Sequence, residues 1–237
     1  MHARVVAVAG GLLTLLLVPA AAQAVPTLEP MKPCYVTARV GPGEAGKQGE
    51  PVMLRAAGFT PDSRVTLTMT MGATTFPSTA DLQVDAMGQL VVPEFPAPFV
   101  GRGTQPFAVT LTEQAPGNTA NTVTGNALTS ALGVSVQPQQ ARPSQRIRFK
   151  GLGFTADKPV YAHYTFRGKE RRRVRLVNRP GTCGAWSVRR PQFPMKSPSQ
   201  GRWVIQFDQS KRYVNGTTGR LASVFVRLQI NVKLVPR

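Results

Sequence analysis

Apolar side chains recur at every second position along much of this chain. Val52 and Leu54 follow this spacing, as do Val65, Leu67 and Met69; Ile147 and Phe149; Trp203, Ile205 and Phe207; and Val224, Val226, Leu228 and Ile230. Successive side chains of an extended strand point to opposite faces, so this period places one face of each strand inward and the other outward. Pro, Gly, Asn and Ser interrupt the runs at short intervals, and no segment after residue 24 keeps a helical period. About seven short strands in each ~100 residues predict an all-β fold of tandem immunoglobulin-like β-sandwiches.

The pattern is written twice. PVMLRAAGFTPDSRVTLTMT (51–70) is echoed by RIRFKGLGFTADKPVYAHYTF (146–166), and GQLVVPEFPAP (88–98) by GAWSVRRPQFPMK (184–196). GTQPFAVTLTEQ (103–114) pairs with GRWVIQFDQSKR (201–212), and Thr124-Gly125 with Thr218-Gly219. The offset stays between 94 and 98 residues in every match, which argues for a duplicated domain. We therefore expect one sandwich over 25–130 and a second over 131–237, joined with almost no linker and so forming a stiff pair. Gly58-Phe59-Thr60 and Gly153-Phe154-Thr155 are expected where one strand turns toward the next, with glycine relaxing the backbone and phenylalanine plugging the sandwich end.

"GFTPDSRVTLTM" and "GFTADKPVYAHY" resemble the Gly-aromatic-x-Pro-Gly-x-x-Val-x-Val turn of bacterial immunoglobulin-like repeats in exported actinobacterial proteins. Pro61 is present in the first copy, Ala156 replaces it in the second, and the motif's glycine is missing from both. The resemblance implies secretion and a role as spacer, stalk or binding module, with no fixed catalytic set.

The N-terminus carries Arg4, an apolar run from Val5 to Val18, Pro19, and then Ala22-Gln23-Ala24. This is the layout of a secretory signal peptide over 1–24, cleaved after Ala24; a retained membrane anchor is the alternative. The chain is thus expected to be secreted or held at the cell envelope. Export permits a disulfide between the two cysteines, Cys34 and Cys183, although two isolated thiols remain the other reading.

Charge separates the two halves. Residues 25–130 hold six Lys and Arg against eight Asp and Glu, whereas 131–237 hold twenty-two against three, a net +19. Self-repulsion of this size works against a compact state and calls for a reason. In β register, Ile147 and Phe149 face the core and leave Arg146, Arg148 and Lys150 outside. Val174 and Leu176 likewise leave Arg171, Arg173 and Arg175 on an outer face, with Arg172 inward in parity but close to a hairpin tip. Arg167, Gly168 and Lys169 make the turn of that hairpin. These nine cations (Arg146, Arg148, Lys150, Arg167, Lys169, Arg171, Arg172, Arg173 and Arg175) form the candidate polyanion-binding surface, gathered on one exterior. Solvated gatekeeper charges that block edge pairing are the rival explanation. Arginine outnumbers lysine 21 to 8, which suits bidentate contact with phosphate or carboxylate.

The partner expected outside a membrane is an anionic cell-wall polymer or acidic polysaccharide. Another envelope protein is the second reading, and non-specific nucleic-acid binding the third. Tyr161, Tyr164, Trp186 and Trp203 are potential stacking surfaces, though on strands such residues are more often core. Known chemical motifs find no support. Gly151 to Ala156 fits G-x-G-x-x-A but runs into Lys158-Pro159 and a further strand instead of a helix, so it reads as a turn. Asn215-Gly216-Thr217 matches a glycosylation sequon and also a hairpin turn. His163, with Asp157 six residues away, has no serine elbow, and Asp81, Asp85 and Glu94 show no hydrolase spacing. One mature-chain histidine and two cysteines make no zinc site. No enzyme activity, metal or cofactor is expected.

Overall fold

The computed structural model describes residues 25–39, 46–77, 79–114, 121–214 and 226–232. The expected signal segment, the Thr218-Gly219 match and the Asn215 sequon lie outside these residues. The first part of the chain builds β1 (Thr27–Leu28), β2 (Cys34–Arg39), β3 (Lys47–Gly49), β4 (Pro51–Ala57), β5 (Arg64–Met71), β6 (Thr74–Thr75), β7 (Thr79–Gln83), β8 (Gln89–Pro96), β9 (Thr104–Glu113) and β10 (Thr122–Ala131). The second builds β11 (Gly133–Gln137), β12 (Arg146–Leu152), β13 (Val160–Phe166), β14 (Lys169–Val177), β15 (Trp186–Pro191), β16 (Gly201–Asp208) and β17 (Val226–Val232). Among the described residues no helix is long and apolar enough to cross a membrane.

The two halves share a topology. A sheet ordered β1-β4-β8 faces one ordered β3-β2-β10-β9-β5-β6, with β7 also on β5; in the second half β11-β12-β15 faces β14-β13-β16-β17. Each pair of sheets is an immunoglobulin-like sandwich with its own core. Val52, Leu54, Val65, Leu67, Val109 and Leu111 are buried in the first, and Ile147, Phe149, Ala162, Tyr164, Ile205 and Phe207 in the second. The alternation read from the chain supplies Val52, Leu54, Val65, Leu67, Ile147, Phe149, Ile205 and Phe207, since one apolar face per strand must meet another to leave water.

The Gly-Phe-Thr corners also repeat. Gly58 and Gly153 adopt φ values of 89° and 79°, a left-handed conformation in which a side chain would be strained. Phe59 and Phe154 follow them into the two cores, where burying each ring stabilises its sandwich by about 2–3 kcal/mol. The next backbone N–H is held differently in each copy. Thr60 N–H donates to the Glu113 carboxylate at 3.2 Å, whereas Thr155 N–H donates to the Gln209 amide oxygen at 2.8 Å. An amide both accepts and donates, and Gln209 Nε2 returns bonds of 2.8 Å to the carbonyls of Thr155 and Lys158. Glu113 can only accept, and takes a second bond from Asn121 at 2.7 Å.

One residue, Leu132, separates β10 from β11. Its N–H donates to the Thr37 carbonyl of β2 at 2.7 Å, while its side chain packs against the second core. Cys34 on β2 is disulfide-bonded to Cys183, with Cα atoms 5.3 Å apart and 149 residues between them in sequence. Cys183 sits in a 3-10 turn, Thr182–Gly184, that also lies against β10 and β12. A covalent bond and a one-residue crossing thus fasten the two sandwiches to one another.

Candidate functional site

The nine cations fall on two sheets, which corrects the expectation of a single exterior. Arg146, Arg148 and Lys150 alternate with buried Ile147 and Phe149 on β12, in the three-stranded sheet. Arg148 stands in register with Arg189 of β15, so a fourth cation joins that outer row. Arg167 to Arg175 belong to the opposite sheet, in the β13–β14 hairpin. The two groups connect around a corner: β14 and β15 are the edge strands of their sheets, and their Cα atoms approach within 8 Å. The cations form a belt that wraps the sandwich edge.

Arg167 and Gly168, with φ values of 51° and 76°, make a two-residue hairpin turn of the type whose twist matches its strands. Arg167 lies over the Phe166 ring at 5.3 Å. A bulge between Tyr164 and Thr165 then corrects the expected alternation: Tyr164 pairs with Arg172 and Thr165 with Glu170, leaving Arg171 as the extra residue. The outward row on β14 is therefore Glu170, Arg173 and Arg175. Lys169, Arg171 and Arg172 are exposed all the same, because an edge strand beside a hairpin tip lets long side chains reach water. Arg173 is exposed, yet its guanidinium donates to the Lys211 carbonyl. Arg146 donates to the Arg189 carbonyl at 3.1 Å. None of the nine is ion-paired to a carboxylate among the described residues.

The missing carboxylates have another use. The second half holds only Asp157, Glu170 and Asp208. Glu170 accepts from His163 Nδ1 at 2.7 Å, and Asp208 from His163 Nε2 at 3.0 Å, where the Ser210 carbonyl also lies at 3.0 Å. Asp157, the carboxylate nearest in sequence, takes no part in this cluster. His163 lies on the outer face of its sheet and is nevertheless fully buried. Residues 209–214 fold back over it, with the Tyr213 ring tilted at 44° and 5.7 Å from the imidazole and the Val214 carbonyl accepting from Gln206 Nε2. Gln206 Nε2 also donates to Asp208 at 2.8 Å. Burial alone would lower the histidine's proton affinity; the bonds to Asp208 and Glu170 outweigh it and raise the pKa above 6.5.

Acceptors face both ring nitrogens, an arrangement that favours the doubly protonated imidazole. Both ring nitrogens are engaged and the ring is shut from solvent, so its chemistry is cohesion between the sheet and the segment above it. The carboxylates bind opposite nitrogens and do not converge; among the described residues no group of three or more His, Cys, Asp or Glu is arranged to hold a metal. Spacing in the chain gave no sign of this cluster, because its members come from three strands. Tyr164, Trp186 and Trp203 are buried core residues, and of the four aromatic candidates only Tyr161 is partly exposed.

No family model and no curated protein matches the chain. Solved structures similar to it include a tetra-tandem repeat from the extending region of a large adhesion protein, at 15% identity and TM-score 0.29, covering 84% of this chain and 49% of that one. A Ca2+-stabilized adhesin that helps an Antarctic bacterium bind ice matches at 15% identity and TM-score 0.32, over 88% of this chain and 48% of its own. Escherichia coli alpha-2-macroglobulin activated by porcine elastase matches at 10% identity and TM-score 0.39, over 89% and 22%. The chain spans about half or less of the length of these structures.

Proposed function

We propose that this protein is an exported, non-catalytic envelope protein whose second sandwich binds a polyanionic surface, an anionic wall polymer or acidic polysaccharide. The observation that carries this reading is the uncompensated belt across β12, β15 and β14. Two of the three carboxylates in that half are committed to His163, so the belt's charge is available to an outside partner. Arginine dominates the belt, and its planar fork suits carboxylate and phosphate. The Cys34–Cys183 bond suits an oxidising compartment, in keeping with export. The first sandwich, near neutral and fastened at a one-residue crossing, serves as a rigid spacer.

Retention of the full chain on immobilised wall fragments, heparin and DNA at increasing salt tests this reading. Six contacts of this kind predict a loss of about 10³-fold in affinity between roughly 50 and 200 mM salt. The variant Arg146→Glu/Arg148→Glu/Lys150→Glu is expected to elute far earlier than the unaltered protein. No retention at low salt would leave a spacer without a polyanion ligand, the reading that the stiff junction also suits, and preference for DNA would favour nucleic acid.

A further inference from the structure

At the crossing between the sandwiches lies an open cleft of about 750 Å³. One wall is the loop Gly101-Arg102-Gly103 of the first sandwich; the other is the outer face of the β11–β12–β15 sheet at Ser135, Lys150 and Ser187. These last three share one row, since Ser135 and Ser187 both pair with Lys150 in register. Arg102 and Lys150 are exposed, and neither meets a carboxylate among the described residues. Lys150 is also the last cation of the Arg146-Arg148-Lys150 row, so the belt runs directly into the cleft. Arg102, one of only six cations in residues 25–130, lines the same cleft as the end of that row.

From this geometry we infer that the cleft is a binding subsite for a carboxylate-bearing glycan chain, shared between the two sandwiches. It rests on the polyanion reading above and extends it: the first sandwich, through Arg102, contributes to the site. The two cations receive a carboxylate, and the serine hydroxyls on either side of Lys150 exchange hydrogen bonds with sugar hydroxyls. Neutral donors and acceptors set among charges suit a hydroxyl-rich chain better than a bare phosphate chain. The fastened junction keeps Arg102 and Lys150 on the walls of one cleft before a ligand arrives, which lowers the cost of ordering on binding. The cleft has room as well. A Cβ added to Gly133, whose backbone is ordinary strand, meets nothing within 4 Å.

The test uses the full-length mature protein and polygalacturonate oligomers, with polyphosphate of equal charge as the second probe, at one fixed low salt concentration. Arg102→Glu is expected to weaken polygalacturonate binding about tenfold or more, on the scale of one lost charge-assisted hydrogen bond. Arg55→Glu, an equal charge change on β4 of the same sandwich, should stay within about twofold. Gly133→Trp, which fills the cleft without changing charge, should weaken polygalacturonate more than polyphosphate. An unchanged melting temperature certifies each fold. If Arg102→Glu behaves as Arg55→Glu does, or if Gly133→Trp weakens both probes equally or neither, the cleft assignment is wrong. A continuing loss on Arg148→Glu would then leave the belt reading intact. No binding by the unaltered protein at low salt would end both.

Discussion

The two sandwiches differ most on one equivalent surface. In the first, Thr66, Thr68, Thr110, Thr112, Thr122 and Thr124 face one another across β5, β9 and β10, with Thr110 and Thr124 hydroxyls 3.1 Å apart. In the second, the positions in register on β13, β16 and β17 are Tyr161, His163, Gln206, Asp208 and Arg227. By strand register Thr68 opposite Thr110 corresponds to His163 opposite Gln206, which sets β9 against β16 at an offset of 96 residues and corrects the 98 read from the sequence match. A solvated hydroxyl ladder has turned into a buried ionic cluster roofed by residues 209–214. Inner faces stay apolar in both copies, because a sandwich cannot close without them, whereas outer faces are free to change chemistry. The corners teach the same lesson, with Glu113 replaced by Gln209 in an identical bonding position. At this corner the second unit carries an amide where the first has an acid, and two of its three carboxylates bond the buried histidine.

The largest effect should come from separating the units. Replacing Cys34 and Cys183 together by serine removes a bridge over 149 residues, a loss of about 5 kcal/mol in the chain-entropy model. Denaturant unfolding should show the midpoint falling; an unchanged midpoint would mean that the junction is held by the other contacts alone.

Next comes the contrast between the equivalent outer faces. His163→Gln leaves Glu170 and Asp208 around an uncharged group and should cost about 3 kcal/mol. Thr68→Val, its counterpart in the first unit, should stay within about 1 kcal/mol. The histidine also sets a direction with pH. Its folded pKa is raised, so its contribution is fully present below pH 6.5 and is lost as pH rises through the folded value. The unaltered protein should therefore lose stability on that rise more steeply than His163→Gln, and parallel curves would refute the ion cluster.

The smallest effect lies at the corner. Glu113→Gln weakens the bonds from Thr60 and Asn121 and should cost about 1 kcal/mol at neutral pH. Burial raises the Glu113 pKa, but those bonds outweigh it and leave the group below 4.5. Its stabilisation is thus present above pH 4.5 and fades as pH falls through the folded value, where variant and unaltered protein should converge. A gap that persists in acid would point to packing instead.

How much of this was legible in the chain depends on the range of the interaction. Period-two alternation, the repeat offset and the Gly-Phe-Thr corners are local or self-similar signals, and each predicted what the two cores and corners contain. The charge imbalance was legible too, as a count. Its distribution was not. A single bulge at Arg171 exchanged an arginine for Glu170 on the outer row, and simple alternation has no sign for a bulge. His163 looked isolated because its partners lie 7 and 45 residues away, on other strands. The amino-acid order by itself determined which face of each strand is apolar, because burial acts through that local period. Only tertiary structure decided which polar groups meet, because hydrogen bonds and ion pairs act over a few ångströms, and strand register alone brings distant residues that close.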